Sequence, residues 1–197
     1  MVQARAEETY RLLLEAAQAA FAELGYEGAG VAEVCRRAGV SKGAFYHHFP
    51  SKQALFLALL EAWLGQLDAT IEALKQRPIP VPDKLLALAD LVEVVLAAGR
   101  EQLPLFLDFW SQAVRDPVVS GALQGHYQRY QQTFALLLDA GVAESSLKPM
   151  DTQKLARSLV ALGVGVVLQG LLDPQPDWGE TTRQGLKALL DGIRREA

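Results

Sequence analysis

An all-α fold is expected from three features of the 197-residue chain. Apolar residues recur at steps of three and four almost throughout, which is the mark of amphipathic helices. No strand-like alternation persists for more than a few residues. Half of the residues are hydrophobic, enough for a sizeable core and too many for a disordered chain. The expected architecture is a three-helix head (residues 1–52) joined to a larger helical domain (residues 53–197), with about nine helices in all.

The elements can be justified in order. Tyr10, Leu13, Leu14, Ala17, Phe21 and Leu24 form the first stripe, and Gly25 should end it. Residues 31–38 make a short second helix closed by Gly39. Ser41 can cap a third helix that runs to about His48. Pro50 and Ser51 open a long fourth helix with Leu55, Leu59, Ala62, Leu67, Ile71 and Leu74 on its inner face. The stretch "QRPIPVPD", residues 76–83, holds three prolines in five residues and cannot continue a helix. Beyond it, helices are expected near 84–99, 103–115, 117–139, 151–172 and 179–195. "DAGVAESSLKPMD" and "DPQPDWGE" read as loops.

Composition narrows the function. The net charge of −4 argues against a general polyanion binder, whose affinity would come from cationic surface. The single cysteine, Cys35, rules out an internal disulfide framework and a multi-cysteine metal site. It reads as a small buried hydrophobe. The amphipathic, charged N-terminus lacks a signal-peptide core. Charged residues interrupt the apolar runs, so no membrane span is expected. The protein is expected to be cytoplasmic and to need no cofactor.

Charge is nonetheless uneven. Residues 1–37 carry six Glu, whereas "AGVSKGAFYHHFPSK", residues 38–52, holds Lys42, Tyr46, His47, His48 and Lys52 without a carboxylate. Two short helices joined by the Gly-containing turn "RRAGVSKG" are the pattern of a helix-turn-helix. A helix from Ser41 to His48 spans about 12 Å, close to the width of the DNA major groove. Val40, Phe45 and Phe49 can face inward, leaving Lys42, Gly43, Tyr46, His47 and His48 outward or flanking. Gly43 costs about 1 kcal/mol inside a helix, which makes sense if the backbone must approach a base edge. Lys42 can donate to guanine or phosphate, and Tyr46 and the histidines to phosphate. Lys52 adds an ammonium at a helix N-terminus.

The segment "GYEGAGVAEVCRRAGVSKGAFYHHFPSKQALF", residues 25–56, closely resembles the DNA-binding part of the tetracycline-repressor (TetR) family of transcriptional regulators. Gly25-Tyr26, Ala38-Gly39-Val40-Ser41, Tyr46, His48-Phe49 and Lys52 all fall at the family's spacing. "FLDFWSQAVRDP" and "LVALGVGVVLQGLLDP" look like the C-terminal domain of a broad subgroup that includes the choline-responsive repressors. The resemblance implies a DNA-binding set of Ser41, Lys42, Gly43, Tyr46, His47, His48 and Lys52. It departs from the pattern at Ala29-Gly30 and Ala32, where side-chain phosphate contacts are common, and at Val164, where relatives often have Asp.

His47 and His48 point about 100° apart and cannot readily chelate, so no metal is expected. "GVGVVLQG", residues 163–170, lies inside a helix without a preceding strand, so close helix packing explains its glycines better than a nucleotide loop. A small helical enzyme would need a nucleophile–base pair that the chain lacks. A helical lipid-carrier or partner-binding module would not need Lys42, Tyr46, His48 and Lys52.

One short recognition helix reads few base pairs, so a homodimer on a palindromic double-stranded operator is expected. Its interface is placed on helices 151–172 and 179–195, through Ala161, Gly163, Gly165 and Gly170 interleaved with Leu159, Leu162, Val166 and Val167, and through Leu186, Leu189, Leu190 and Ile193. The aromatics Trp63, Phe106, Trp110, Tyr127 and Phe134 are the candidate lining of a pocket for a small lipophilic effector, such as a fatty acyl compound. Arg100, Arg129 or Arg157 could serve an anionic head group, although each reads as surface. The expected function is a ligand-responsive repressor.

Overall fold

The computed structural model of the chain describes residues 2–99, 103–173 and 177–195. Arg100 and part of the expected "DPQPDWGE" loop (residues 174–176) lie outside them. Among the described residues, ten helical segments follow in order: α1 Val2–Gly28, α2 Val31–Ala38, α3 Lys42–His48, α4 Lys52–Lys75, α5 Val81–Leu86, α6 Leu88–Gly99, α7 Leu103–Arg115, α8 Pro117–Ala143, α9 Thr152–Leu172 and α10 Trp178–Ile193. An isolated antiparallel bridge between Leu147 and Arg194 is the sole β pairing among these residues.

Three boundaries differ from expectation: α8 runs past its expected end at 139 to Ala143, into the stretch expected to be a loop, and two others differ for local reasons. α1 does not stop at Gly25 but kinks there, with φ 71° and ψ 162°, and gains one more turn. A left-handed φ is open to Gly without the Cβ penalty. The helix expected over 84–99 begins earlier, at Val81, because Pro82 sits in its first turn where no amide donor is needed. A turn at Ala87 then divides it into α5 and α6.

The described residues gather into two compact units. One comprises residues 2–66 with 103–123; the other comprises residues 67–99 with 124–173 and 177–195. These units do not divide at residue 52, because α7 folds with the head. In the first unit Leu13, Ala17 and Phe21 of α1, Val34 of α2, Phe45 of α3, and Leu55 and Phe56 of α4 are fully buried. Phe109 of α7 completes this core, with its ring 4.2 Å from that of Phe56. Burying each of the Leu, Val and Phe side chains contributes about 1.5–3 kcal/mol.

In the second unit the core is built from Ile71, Val81, Leu85, Ala89, Phe134, Leu138, Leu147, Ala156, Leu159, Leu186 and Leu190, among others. Gly141 is required by close packing: a Cβ there would lie 2.6 Å from Leu147 Cδ1. The segment after α8 is tied to the chain end by Lys148 N–H donating to Ile193 O (2.8 Å) and Arg195 N–H to Ser146 O (3.2 Å).

α4 and α9 are long and apolar enough to cross a membrane by length and composition, which the sequence reading did not anticipate. Their apolar faces include Leu55, Phe56, Leu59 and Leu60 of α4 and Leu159, Val160 and Val166 of α9, all buried against other helices.

The dimer face expected on α9 and α10 needs correction. Leu159, Val166, Leu186 and Leu190 are consumed by the core of their own chain. Gly170 is likewise closed over by Leu96 and Trp178. What these helices leave open is Ala161, Leu162 and Leu172 on α9 and Gly185, Ala188 and Gly192 on α10. A Cβ added at Gly163 or Gly165 would meet nothing within 4 Å.

Candidate nucleic-acid interface

The turn between α2 and α3 is set by two adjacent local signals. Gly39 adopts the left-handed conformation (φ 66°, ψ 29°) and its N–H, with that of Val40, returns to the last carbonyls of α2. Ser41 then caps α3, its Oγ accepting from the Ala44 N–H at 3.1 Å. Phe45 and Phe49 anchor the inner face of α3 at 0% and 4% exposure. Lys42, Gly43, Tyr46 and His47 are exposed on the outer face, and His48 is half-buried. A Cβ on Gly43 would meet nothing closer than Ser41 Oγ at 3.6 Å. Packing within the chain therefore does not require this glycine.

The half-burial of His48 has a cause that sequence reading missed. Tyr10 of α1, expected in the core stripe, is 39% exposed and lies edge-on to His48 with centroids 6.1 Å apart. Its helical spacing concealed this, since Tyr10 is in register with the apolar stripe and differs only by sitting at its end.

Lys52 is also more engaged than expected. Its Nζ donates to the Tyr26 carbonyl at 2.8 Å and stands 4.2 Å over the Tyr26 ring. The other side of the same residue is held too: the Tyr26 N–H donates to Asp108 Oδ2 on α7 at 2.7 Å. α7 and the residue that follows it make two more polar contacts to this part of the chain: Gln112 Nε2 of α7 donates to Glu27 Oε1 (3.1 Å), and Gln53 Nε2 donates to Asp116 Oδ2 (2.5 Å). No short-range pattern signals such long-range pairs.

The arginines of the head face its own carboxylates. Arg11 bridges Glu8 and Glu15 at 2.7 and 2.5 Å. Arg36 and Arg37 both reach Glu33 at 2.7 Å, and Arg37 also reaches Glu23 of α1 at 2.7 Å. Hydrogen bonds from Arg36 and then Arg37 hold the Glu33 carboxyl down at about 2. On α2, Ala29 just before it is fully buried, Gly30 caps without a side-chain bond, and Ala32 is exposed. Cys35 is 4% exposed, and burial pushes its thiol up.

Of the candidate effector residues, Trp63 and Phe106 meet edge to face at 5.4 Å in the first unit, where Trp110 is half-buried. Tyr127 and Phe134 belong to the second unit. Phe134 is core, and Tyr127 packs against that core, where burial pushes its hydroxyl up to about 12. Arg129 and Arg157 are exposed.

Residues 13–59, which hold the capped turn and α3, match the family of bacterial regulatory proteins called the tetR family. Residues 81–195 match the C-terminal part of BetI-type transcriptional repressors, and this match alone spans more than half of the chain. The chain belongs to the TetR family. As a TetR-family member it is a ligand-responsive, DNA-binding transcriptional regulator. It is 25% identical over 197 residues to the regulator UidR of Escherichia coli (strain K12), covering 98% of this chain and 96% of UidR. Over a shorter stretch of 59 residues it is 48% identical to the A-factor receptor protein of Streptomyces griseus, covering 30% of this chain and 21% of that receptor. A solved transcriptional regulator from Pseudomonas aeruginosa PAO1 superposes with a TM-score of 0.83 at 26% identity, over 93% of this chain and 88% of that one.

Proposed function

We propose that this TetR-family regulator is a repressor that grips a palindromic operator as a homodimer and is released by a small lipophilic effector. The observation that carries the reading is the outer face of α3, where Lys42, Gly43, Tyr46 and His47 are exposed above a fully buried Phe45. Lys42 and the open backbone at Gly43 read bases, while Tyr46, His47, His48 and Lys52 hold phosphates. Ser41 serves by capping the helix that presents them. Residues 1–52 carry these contacts; residues 53–197 bind effector and partner subunit, through the exposed small residues of α9 and α10.

The effector reading rests on the half-buried aromatics of the first unit: Trp63, Phe106 and Trp110 offer rings to an apolar molecule such as a fatty acyl compound, whereas Phe134 is committed to the core of the second unit and Tyr127 packs against it. Ligand binding that shifts α4, which starts at Lys52, would alter the spacing of the two recognition helices. Coupling is reciprocal, so an effector that weakens operator binding must bind the DNA complex more weakly.

The test is fluorescence anisotropy with duplexes from the DNA flanking the protein's own gene. Tight, sequence-selective binding, abolished by replacing Tyr46 with Ala and reversed by an apolar compound that copurifies, supports the reading. Binding that is equal on all duplexes, or insensitive to Tyr46, rejects it.

A further inference from the structure

We propose that Asp108 of α7 is a positioning residue for operator binding, acting through the Tyr26 peptide on the ammonium of Lys52. The inference rests on the operator reading above.

The geometry is a chain of three groups on one peptide unit and the next. Gly25 breaks α1 with its left-handed φ, so the following amide no longer points down the helix axis to a carbonyl one turn back. That amide, Tyr26 N–H, is taken by Asp108 Oδ2 at 2.7 Å. The Tyr26 carbonyl then accepts from Lys52 Nζ at 2.8 Å, and the Tyr26 ring lies beneath the same ammonium at 4.2 Å. The ring is fixed in turn, 4.3 Å from Phe56 and 5.5 Å from Phe21. The N–H to carboxylate bond is charge-assisted and therefore short and strong.

An ammonium has three donors. One is given to Tyr26, which aims the remaining two from the first turn of α4. Lys52 is thus not a free-swinging surface charge; its direction depends on where the Tyr26 carbonyl stands. That position depends on Asp108, whose neighbour Phe109 packs on Phe56. A carboxylate in a nucleic-acid-binding head should by charge alone repel phosphate. Its presence here is explained if what it holds is worth more to binding than its charge costs.

The two views predict opposite signs, which makes the experiment decisive. Operator affinity of the full chain is measured by anisotropy across a salt series for wild type, Asp108→Ala, Asp108→Asn, Lys52→Ala and the Asp108→Ala/Lys52→Ala pair, with melting temperature recorded for each. Asp108→Ala should bind about ten-fold more weakly, as Lys52→Ala does. Both should lower the log–log salt slope by about one phosphate contact per subunit. The pair should be no more than about two-fold worse than either single variant, since the residues act in series. Asp108→Asn keeps an acceptor for the Tyr26 N–H and should stay near wild type. Operator binding by Asp108→Ala that equals or exceeds wild type overturns the proposal, and so do losses that multiply in the pair. Should Asp108→Ala fail to fold, Asp108→Glu decides: it displaces the acceptor by one methylene, and unchanged affinity and slope overturn the proposal. A wild-type chain that binds none of the duplexes overturns the operator reading itself, a result distinct from either.

Discussion

Tyr10 on α1 stacks on Phe49 at the end of α3, with ring centroids 5.0 Å apart and planes inclined by 29°. The last turn of the recognition helix is thereby braced by an aromatic from the first helix. Such ring pairs contribute about 0.5–1.5 kcal/mol beyond the area they bury. Tyr10→Ala should lower unfolding stability by about 1–2 kcal/mol in urea, whereas Tyr10→Phe should be nearly silent. An equal loss in both variants would assign the effect to the hydroxyl instead.

Ser41 is the sole side-chain cap of α3. A helix of seven residues has little stability of its own. Ser41→Ala should cost about 1 kcal/mol and Ser41→Asp should restore most of it. Urea melts measure the first effect. Anisotropy should show a parallel fall in operator affinity for Ser41→Ala, since the frayed turn carries Lys42 and Gly43.

Acid should loosen the α1–α2 brace in a defined window. The Glu33 carboxyl sits at about 2 in the folded head, against 4.5 for the free side chain. A carboxyl depressed by folding stabilises the fold above its unfolded value, and that contribution is lost as pH falls from there toward the folded value. The melting temperature should therefore drop between pH 4.5 and 2 more steeply in wild type than in Glu33→Gln. Parallel curves for the two would remove Glu33 from the acid response.

The glycines of α9 separate packing within the chain from packing between chains. A Cβ at Gly170 would lie 2.7 Å from Leu96 Cδ1, so Gly170→Leu should destabilise the fold itself. At Gly165 the same atom meets nothing within 4 Å. Gly165→Leu should keep or raise the melting temperature of the subunit, because Gly is the poorer helix former. It should nevertheless weaken self-association, read by sedimentation at micromolar concentration. Unchanged association would move the dimer contact away from this stretch of α9.

The head was legible in the sequence because its signals are local. Gly39, Ser41, Phe45 and Phe49 act within one turn of where they stand, and the capped turn emerges at the expected residues. The division of labour in α10 was not legible. Leu186 and Leu190 form an apolar stripe at helical spacing, and such a stripe is the same whether it meets its own chain or another. The engagement of Lys52 and Asp108 is hidden for a different reason: they meet at the backbone N–H and carbonyl of Tyr26, which leaves no trace in residue types. Tyr10 was read as core because period alone cannot distinguish the middle of a stripe from its exposed end.

The pairing of Arg11, Arg36 and Arg37 with carboxylates of the same head bears on how the regulator finds its target. Affinity for random duplex scales with the cations available to displace counterions. With these three guanidiniums already facing glutamates, a subunit meeting arbitrary sequence has little to hold it there. Its visits to bulk chromosome should be brief, and its search should proceed by repeated encounters from solution more than by long slides along the double helix. Single-molecule tracking on stretched DNA at physiological salt would reveal this as short, nearly stationary dwells. Exchanging Glu33 for Gln would release Arg36, while Arg37 keeps its pairing with Glu23, and would lengthen those dwells, trading discrimination for grip.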